Sequence, residues 1–168
     1  VSERVPSTFI LATPRGTRER LGDAFFRERI PAESIQVIEG ETWDVLAHAD
    51  VALTASGTVT MEAALLGTPM VTYYKVTALS WLLGRFLVKV PFYSMVNLIA
   101  ERRLATELMQ NEMTGPRLAQ EALRLLESEP ARAQMKRELA EVAQKLSSSV
   151  DPMERAAGIV REFFHAQR

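Results

Sequence analysis

Up to Lys75 the apolar positions follow two alternating periods. Short runs rich in β-branched and aromatic residues, at 7–13, 34–38, 50–54 and 69–74, read as buried strands, the first two closed by Pro14-Arg15-Gly16 and Glu39-Gly40. Between them lie stretches with helical spacing. Thr17 is placed to cap a helix whose apolar positions are Leu21, Ala24 and Phe25 and which stops before Pro31. Residues 42–48 predict a short helix and residues 58–66 another. Strands separated by helices in this rhythm predict a Rossmann-like α/β fold, a parallel sheet with right-handed crossovers and helices on both faces.

Beyond Lys75 the rhythm changes. Residues 79–90 are apolar nearly all round, broken by Gly84, Arg85 and Lys89, and predict a buried helix. Residues 91–113 show no clear period. Three helices then close the chain, opening at Gly115-Pro116, at Pro130 and at Asp151-Pro152. The last has the strongest start, with Asp151 as N-cap, Pro152 at the first helical position and Glu154 in the first turn. The expectation is one domain with a helical C-terminal tail: a Rossmann-like core over 1–113, and helices over 114–168 packed on it.

Composition narrows the function. The 168 residues carry 20 Lys plus Arg against 21 Asp plus Glu. Nucleic-acid binding draws on a basic excess that neutralises phosphates, and this balance argues against it. With no cysteine in the chain, disulfides and thiolate metal sites are excluded. The opening Val1-Ser2-Glu3-Arg4-Val5-Pro6 has neither an apolar signal core nor an initiator Met, and reads as a cut inside a longer protein or a processed start.

Candidate chemistry concentrates after the third strand. There Ala55-Ser56-Gly57-Thr58 turns into a helix that runs to Gly67-Thr68-Pro69. A helix start offers unpaired N–H groups and the positive end of its dipole, which suits a phosphate. In an open parallel sheet, this strand end is also where ligands gather. With Ser56 or Thr58 as cap, the capping-box position falls on Val59 or Met61, so Glu62 is not simply a cap partner. It stands one turn above Thr58, where its carboxylate could accept both hydroxyls of a ribose. A bare Ser-Gly-Thr equally suits a plain capped turn. On spacing alone, Glu107 and Gln110 fit a solvated helical pair and Asn97 a loop residue bonding its own backbone. His48 and His165 have no partner at metal or catalytic spacing and read as structural. Arg15 and Arg18, near the first strand end, fit ordinary surface residues better than phosphate ligands.

The strand followed by Ser56-Gly57-Thr58, then Glu62, Gly67-Thr68-Pro69, Tyr74-Lys75, Asn97-Leu98 and Glu107-Leu108-Met109-Gln110 resembles the C-terminal half of the lipid-A-disaccharide synthases. These are two-domain glycosyltransferases of the GT-B fold. The likeness is strongest over 50–110. It implies that Ser56, Gly57 and Thr58 approach a UDP diphosphate and that Glu62 holds the ribose. Asn97 would meet the donor sugar or its phosphates, and Glu107 and Gln110 would shape the pocket wall. It implies a donor of UDP-2,3-diacylglucosamine, an acceptor of 2,3-diacylglucosamine 1-phosphate and a β(1→6)-linked product. No cofactor or metal is implied. The family's Gly-Ser-Arg loop has no counterpart here, and the N-terminal half with the acceptor site and acid/base is absent, so the chain alone is expected to be inactive as a transferase.

The segment from Leu79 to Tyr93 adds a membrane expectation. Trp81, Arg85, Phe86 and Lys89 recur at helical spacing as an aromatic and basic strip, while a buried helix accounts for the same residues. The resemblance implies a cytoplasmic enzyme peripheral to the inner membrane. Related readings are the UDP-GlcNAc-binding half of a 2-epimerase or of a peptidoglycan glycosyltransferase. Another is a non-catalytic nucleotide-binding or dimerising module, a homodimer joined through the C-terminal helices.

Overall fold

The computed structural model describes residues 1–29, 35–77, 80–81, 90–147 and 151–166. Among the described residues there are five strands and seven α-helices. In chain order these are β1 (Phe9–Thr13), α1 (Thr17–Arg29), β2 (Ile35–Glu39), α2 (Thr42–His48), β3 (Ala52–Ala55), α3 (Thr58–Leu65), β4 (Met70–Tyr74), α4 (Met95–Ala100), β5 (Thr106–Met109), α5 (Gly115–Leu126), α6 (Glu129–Leu146) and α7 (Pro152–Ala166). A short 3-10 turn, Gln110–Glu112, follows β5.

Every strand pairing is parallel, as the alternation of strands and helices predicts. Hydrogen bonding divides the strands into two groups, β1 with β2 and a sheet in the order β3-β4-β5. Phe9 stands opposite Ile35 in the first; Ala52 is opposite Met70, and Val71 opposite Thr106, in the second. Met70, Val71 and Thr72 are buried in succession along β4. Successive residues of a strand point to opposite faces, so β4 is covered on both. The core gathers around it from Ala63, Ala64, Val96, Leu108, Leu125, Leu139 and Val142. In that core α3 packs on α4 and α6, and α5 lies against β3, β4 and β5. The helix α2 touches both β1 and α3, and the Thr68 hydroxyl donates to the Leu46 carbonyl at 2.8 Å, tying the two strand groups together.

The helix ends follow their local chemistry. Ser94, Thr114 and Ser128 are N-caps that accept from Asn97, Arg117 and Ala131 backbone N–H groups, and Pro116 and Pro130 sit in the first turns of α5 and α6. Asp151 Oδ1 accepts from Met153 N at 2.7 Å at the start of α7. At the other polarity, Lys145 donates to the Ile99 carbonyl at the end of α4, and Arg132 donates to the Leu125 and Leu126 carbonyls at the end of α5.

Three sequence expectations need correction. The stretch 91–113, read as irregular, contains α4 and β5; six-residue and four-residue elements are too short to display a period. In α1, Gly22 adopts φ 77°, which breaks the helix and shifts its face. Phe26 is therefore the buried residue, while Leu21 is exposed. Finally, Thr17 does not cap this helix by accepting a bond: its hydroxyl donates to the Pro14 carbonyl at 2.6 Å. The helix expected over 79–90 falls almost entirely outside the described residues.

Candidate functional site

The carboxyl ends of β3, β4 and β5 form one edge; the Ser56 turn follows β3 there and Gln110 follows β5, whereas Glu107 is the second residue of β5 and Asn97 bonds the loop before it. At the end of β3, Ser56 N donates to the Tyr73 carbonyl at 2.8 Å, holding the turn against β4. The N-cap of α3 is Gly57, not Ser56 or Thr58, and no side chain caps the helix. Thr60 N donates to the Gly57 carbonyl at 3.1 Å, and the N–H groups of Thr58 and Val59 stay open to an acceptor from outside the helix. Gly57 and Thr58 are exposed and Ser56 is half-buried. The Ser56 hydroxyl is directed to the Tyr93 carbonyl at 3.1 Å.

Glu62 stands on α3 one turn beyond Thr58, half-buried. Among the described residues its carboxylate has neither a hydrogen bond nor an ion pair. A carboxylate held by a rigid helix beside an uncapped helix start has both oxygens available, the arrangement needed to accept from a vicinal diol.

Glu107 and Asn97 are placed differently. Glu107 is a strand residue and buried, not half of a solvated helical pair. Its Oε1 accepts from Ser94 N at 2.8 Å, Ser94 Oγ at 2.7 Å and Asn97 Nδ2 at 2.9 Å, and Tyr93 N donates to both oxygens at 3.2 Å. This carboxylate collects the N–H groups of Tyr93 and of the N-cap Ser94 just ahead of α4, and these bonds offset the cost of its burial. Asn97 is completely buried. Besides Glu107, its Nδ2 donates to the Ala105 carbonyl at 2.8 Å, and its Oδ1 accepts from Leu104 N at 2.9 Å and Ala105 N at 2.8 Å. All four hydrogen-bonding positions of the amide are used inside the protein. Asn97 thus ties α4 to the loop before β5 and, in this conformation, offers no free polar atom to a ligand.

Gln110 takes φ 50°, uncommon for a residue with a side chain, and its Oε1 accepts from Val76 N at 3.1 Å. It fastens the chain leaving β4 to the end of β5. Ser56, Glu107 and Asn97 thus belong to one hydrogen-bonded string through the backbone of Tyr93 and Ser94, with Glu62 on its own helix beside the same turn. Ser94 is the member that sequence reasoning missed; a serine three residues before Asn97, ahead of an apolar run, was the available N-cap signal. Tyr93 also packs its ring against Trp81, with centroids 5.7 Å apart. Arg85, Phe86 and Lys89 lie outside the described residues.

Elsewhere, His48 Nδ1 pairs with the Asp44 carbonyl one turn earlier in α2. Arg15 and Arg18 form ion pairs with Glu41 and Asp23, and Arg18 also lies over the Phe26 ring. Among the described residues no His, Asp and Glu group could hold a metal ion, and no helix is long and apolar enough to cross a membrane.

A family model described as lipid-A-disaccharide synthetase matches residues 11–160. A lipid-A-disaccharide synthase from Solibacter usitatus is 59% identical over 146 residues, covering 87% of this chain and 38% of that protein. One from Syntrophus aciditrophicus is 42% identical over 112 residues, 67% of this chain and 29% of its own length. One from Geobacter metallireducens is 36% identical over 150 residues, 88% of this chain and 39% of its own. The chain spans less than two fifths of the length of these relatives.

Proposed function

The chain belongs to the lipid-A-disaccharide synthetase family, and from that premise we propose that it is the donor-binding half of a glycosyltransferase in lipid A biosynthesis. The donor is UDP-2,3-diacylglucosamine, the acceptor 2,3-diacylglucosamine 1-phosphate, and UDP leaves. The observation that carries this reading is the uncapped start of α3 at Ser56-Gly57-Thr58, with the unpartnered Glu62 carboxylate one turn above it.

In this role the backbone at Gly57 and Thr58 meets the diphosphate, and Glu62 accepts from the two ribose hydroxyls. As UDP departs, negative charge grows on its phosphate oxygens, and the preorganised N–H groups and dipole of α3 stabilise that charge without reorganising. Glu107 and Asn97 act one layer behind. They fix Tyr93 and Ser94, and so the wall against which the Ser56 hydroxyl is held. Gln110 sets the exit of β4 in the same way.

Titration of the chain with UDP and ADP tests the reading. UDP should bind weakly, by about 4 to 6 kcal/mol, and in preference to ADP. Glu62→Gln should weaken UDP by about 1.5 to 3 kcal/mol and abolish discrimination against 2′-deoxy-UDP, with the melting temperature unchanged. Equal affinity for UDP and ADP would overturn the nucleotide assignment. An equal loss of stability and binding would make Glu62 structural.

The same proposal places the full-length enzyme on the cytoplasmic face of the inner membrane, where its acylated substrates lie. Contact runs through the strip of Trp81, Arg85, Phe86 and Lys89, whose two cations contribute about 2 kcal/mol at an anionic surface. Sedimentation with anionic vesicles should fall for the double variant Arg85→Glu, Lys89→Glu at constant melting temperature. Unfolding of that variant, or unchanged sedimentation, would assign the strip to the core.

A further inference from the structure

Thr60 lies in the first turn of α3 and is completely buried, so its side chain cannot touch a ligand at the Ser56 turn. Its polar atom is nevertheless committed to that turn. The Thr60 hydroxyl donates to the Gly57 carbonyl at 2.7 Å, and the same carbonyl accepts from Thr60 N at 3.1 Å. Both acceptor positions of that oxygen are then filled. The starts of α5 and α6 are built the other way round. There the side chains of the N-caps Thr114 and Ser128 reach forward and accept from the N–H groups of Arg117 and Ala131. In α3 the cap is a glycine, and a side chain inside the helix reaches back to its carbonyl. The first kind of cap occupies a first-turn donor. The second fixes the turn and leaves the donors free.

The geometry of the peptide unit gives this bond its consequence. The Gly57 carbonyl and the Thr58 N–H belong to one planar trans unit, so they point in opposite directions. Holding the carbonyl toward the body of α3 therefore aims the Thr58 N–H out of its N-terminal end. Gly57 itself does little to hold that plane. Its φ of 166° is extended backbone that any residue adopts, and a Cβ there would meet nothing within 4 Å. A glycine beside a peptide leaves it free to turn, and the Thr60 hydroxyl removes that freedom.

We infer that Thr60 is a positioning residue for the diphosphate: its hydroxyl locks the Gly57–Thr58 peptide so that the Thr58 N–H, with that of Val59 beside it, is aimed at the anion before the ligand arrives. The inference rests on the nucleotide-sugar reading of the Ser56 turn and names the side chain that sets the direction of its donors. A donor already in place stabilises developing charge without reorganising, which a freely turning peptide cannot do. Thr60 acts through the backbone alone, so it serves the anion and not the nucleoside. Glu62, on the same helix, serves the ribose.

The test compares Thr60→Val, which keeps the shape, with Thr60→Ser, which keeps the hydroxyl, in the isotope-labelled 168-residue chain. Each protein is titrated by NMR with pyrophosphate, uridine, UDP and ADP. In the parent, pyrophosphate should move the Thr58 and Val59 amide resonances. Thr60→Val should weaken pyrophosphate and UDP by about 5- to 10-fold, the scale of one hydrogen bond, and leave uridine within about 2-fold. Thr60→Ser should stay within about 2-fold of the parent for all of them. Without ligand, the residual dipolar coupling of the Thr58 N–H, which reports the direction of the bond, should change in Thr60→Val and be kept in Thr60→Ser, with that of Val71 constant. If Thr60→Val does not fold, Thr60→Ala against Thr60→Ser gives the same comparison, since the two differ by the hydroxyl alone.

A purely structural residue would lower the melting temperature and weaken uridine and pyrophosphate by one common factor. That result, an unchanged Thr58 coupling, a serine variant no better than the valine one, or a parent whose Thr58 and Val59 amides ignore pyrophosphate would each overturn the inference. Equal affinity of the parent for UDP and ADP, with the effects of Thr60 on pyrophosphate intact, would overturn the nucleotide reading instead.

Discussion

The β3-β4-β5 sheet and the β1-β2 pair share parallel geometry, apolar composition and strand length, yet they are built to different depths. Along β4 three successive residues are buried, and α3, α4, α5 and α6 close around the sheet. Along β1, Ile10 and Leu11 are successive and both exposed, and the principal helical contact is with α2. A parallel strand is stable when neighbours occupy both its edges and its faces. β4 has all of these, whereas β1 has one paired edge. Burial in this molecule therefore follows the completeness of the surroundings and not the hydrophobicity of the strand.

The polar groups show the same division. On the well-covered side, Glu107, Ser94 and Asn97 are buried and satisfied by one another and by backbone. On β1 and β3, Thr13 and Thr54 are buried with hydroxyls that have no partner among the described residues.

Substitutions can break or sharpen this contrast. The largest effect is expected for Asn97→Leu. It strips the partner from Ala105 N, worth about 1 to 3 kcal/mol when buried and unpaired, leaves Leu104 N with the Arg102 carbonyl alone, and takes the amide donor from the Glu107 cluster. A loss of roughly 4 kcal/mol or more by chemical denaturation would confirm the network, and a loss below about 1 kcal/mol would dissolve it. Next comes Met70→Ala in β4, a fully buried side chain, at about 2 to 5 kcal/mol. Ile10→Ala in β1 removes a similar volume from a half-open position and should cost less than about 1 kcal/mol in the 168-residue chain. Equal costs for Met70→Ala and Ile10→Ala would erase the distinction between the two groups. Smallest of all is Arg102→Ala, which breaks exposed ion pairs with Glu138 and Glu141 and should change stability by under about 1 kcal/mol.

Much of this architecture was legible in the residues. The alternation of short apolar runs with helical spacing determined that the fold is parallel α/β. The breakers and caps at Gly40, Gly67, Pro116, Pro130 and Asp151 determined where elements stop and start, because their preferences act within a few residues. Gly40 shows how local the signal is: its φ of 79° is a conformation that favours glycine, whatever surrounds it. The motif around Ser56 and Glu62 was equally visible, since a strand, a turn and one helical turn lie within a dozen consecutive residues.

Tertiary structure alone decided the rest. The brevity of β5 hid it, and its existence depends on the exposed edge of β4 pairing with it. Glu107 and Gln110, three apart and suited by spacing to a helix face, became a buried anchor and a left-handed corner because β5 runs through one and ends at the other. Asn97 looked like a ligand contact or a loop residue, and became a clamp only when the loop before β5 folded over its amide. Which edge a strand leaves open depends on the order of strands in space, and side-chain periodicity reports only which faces are covered.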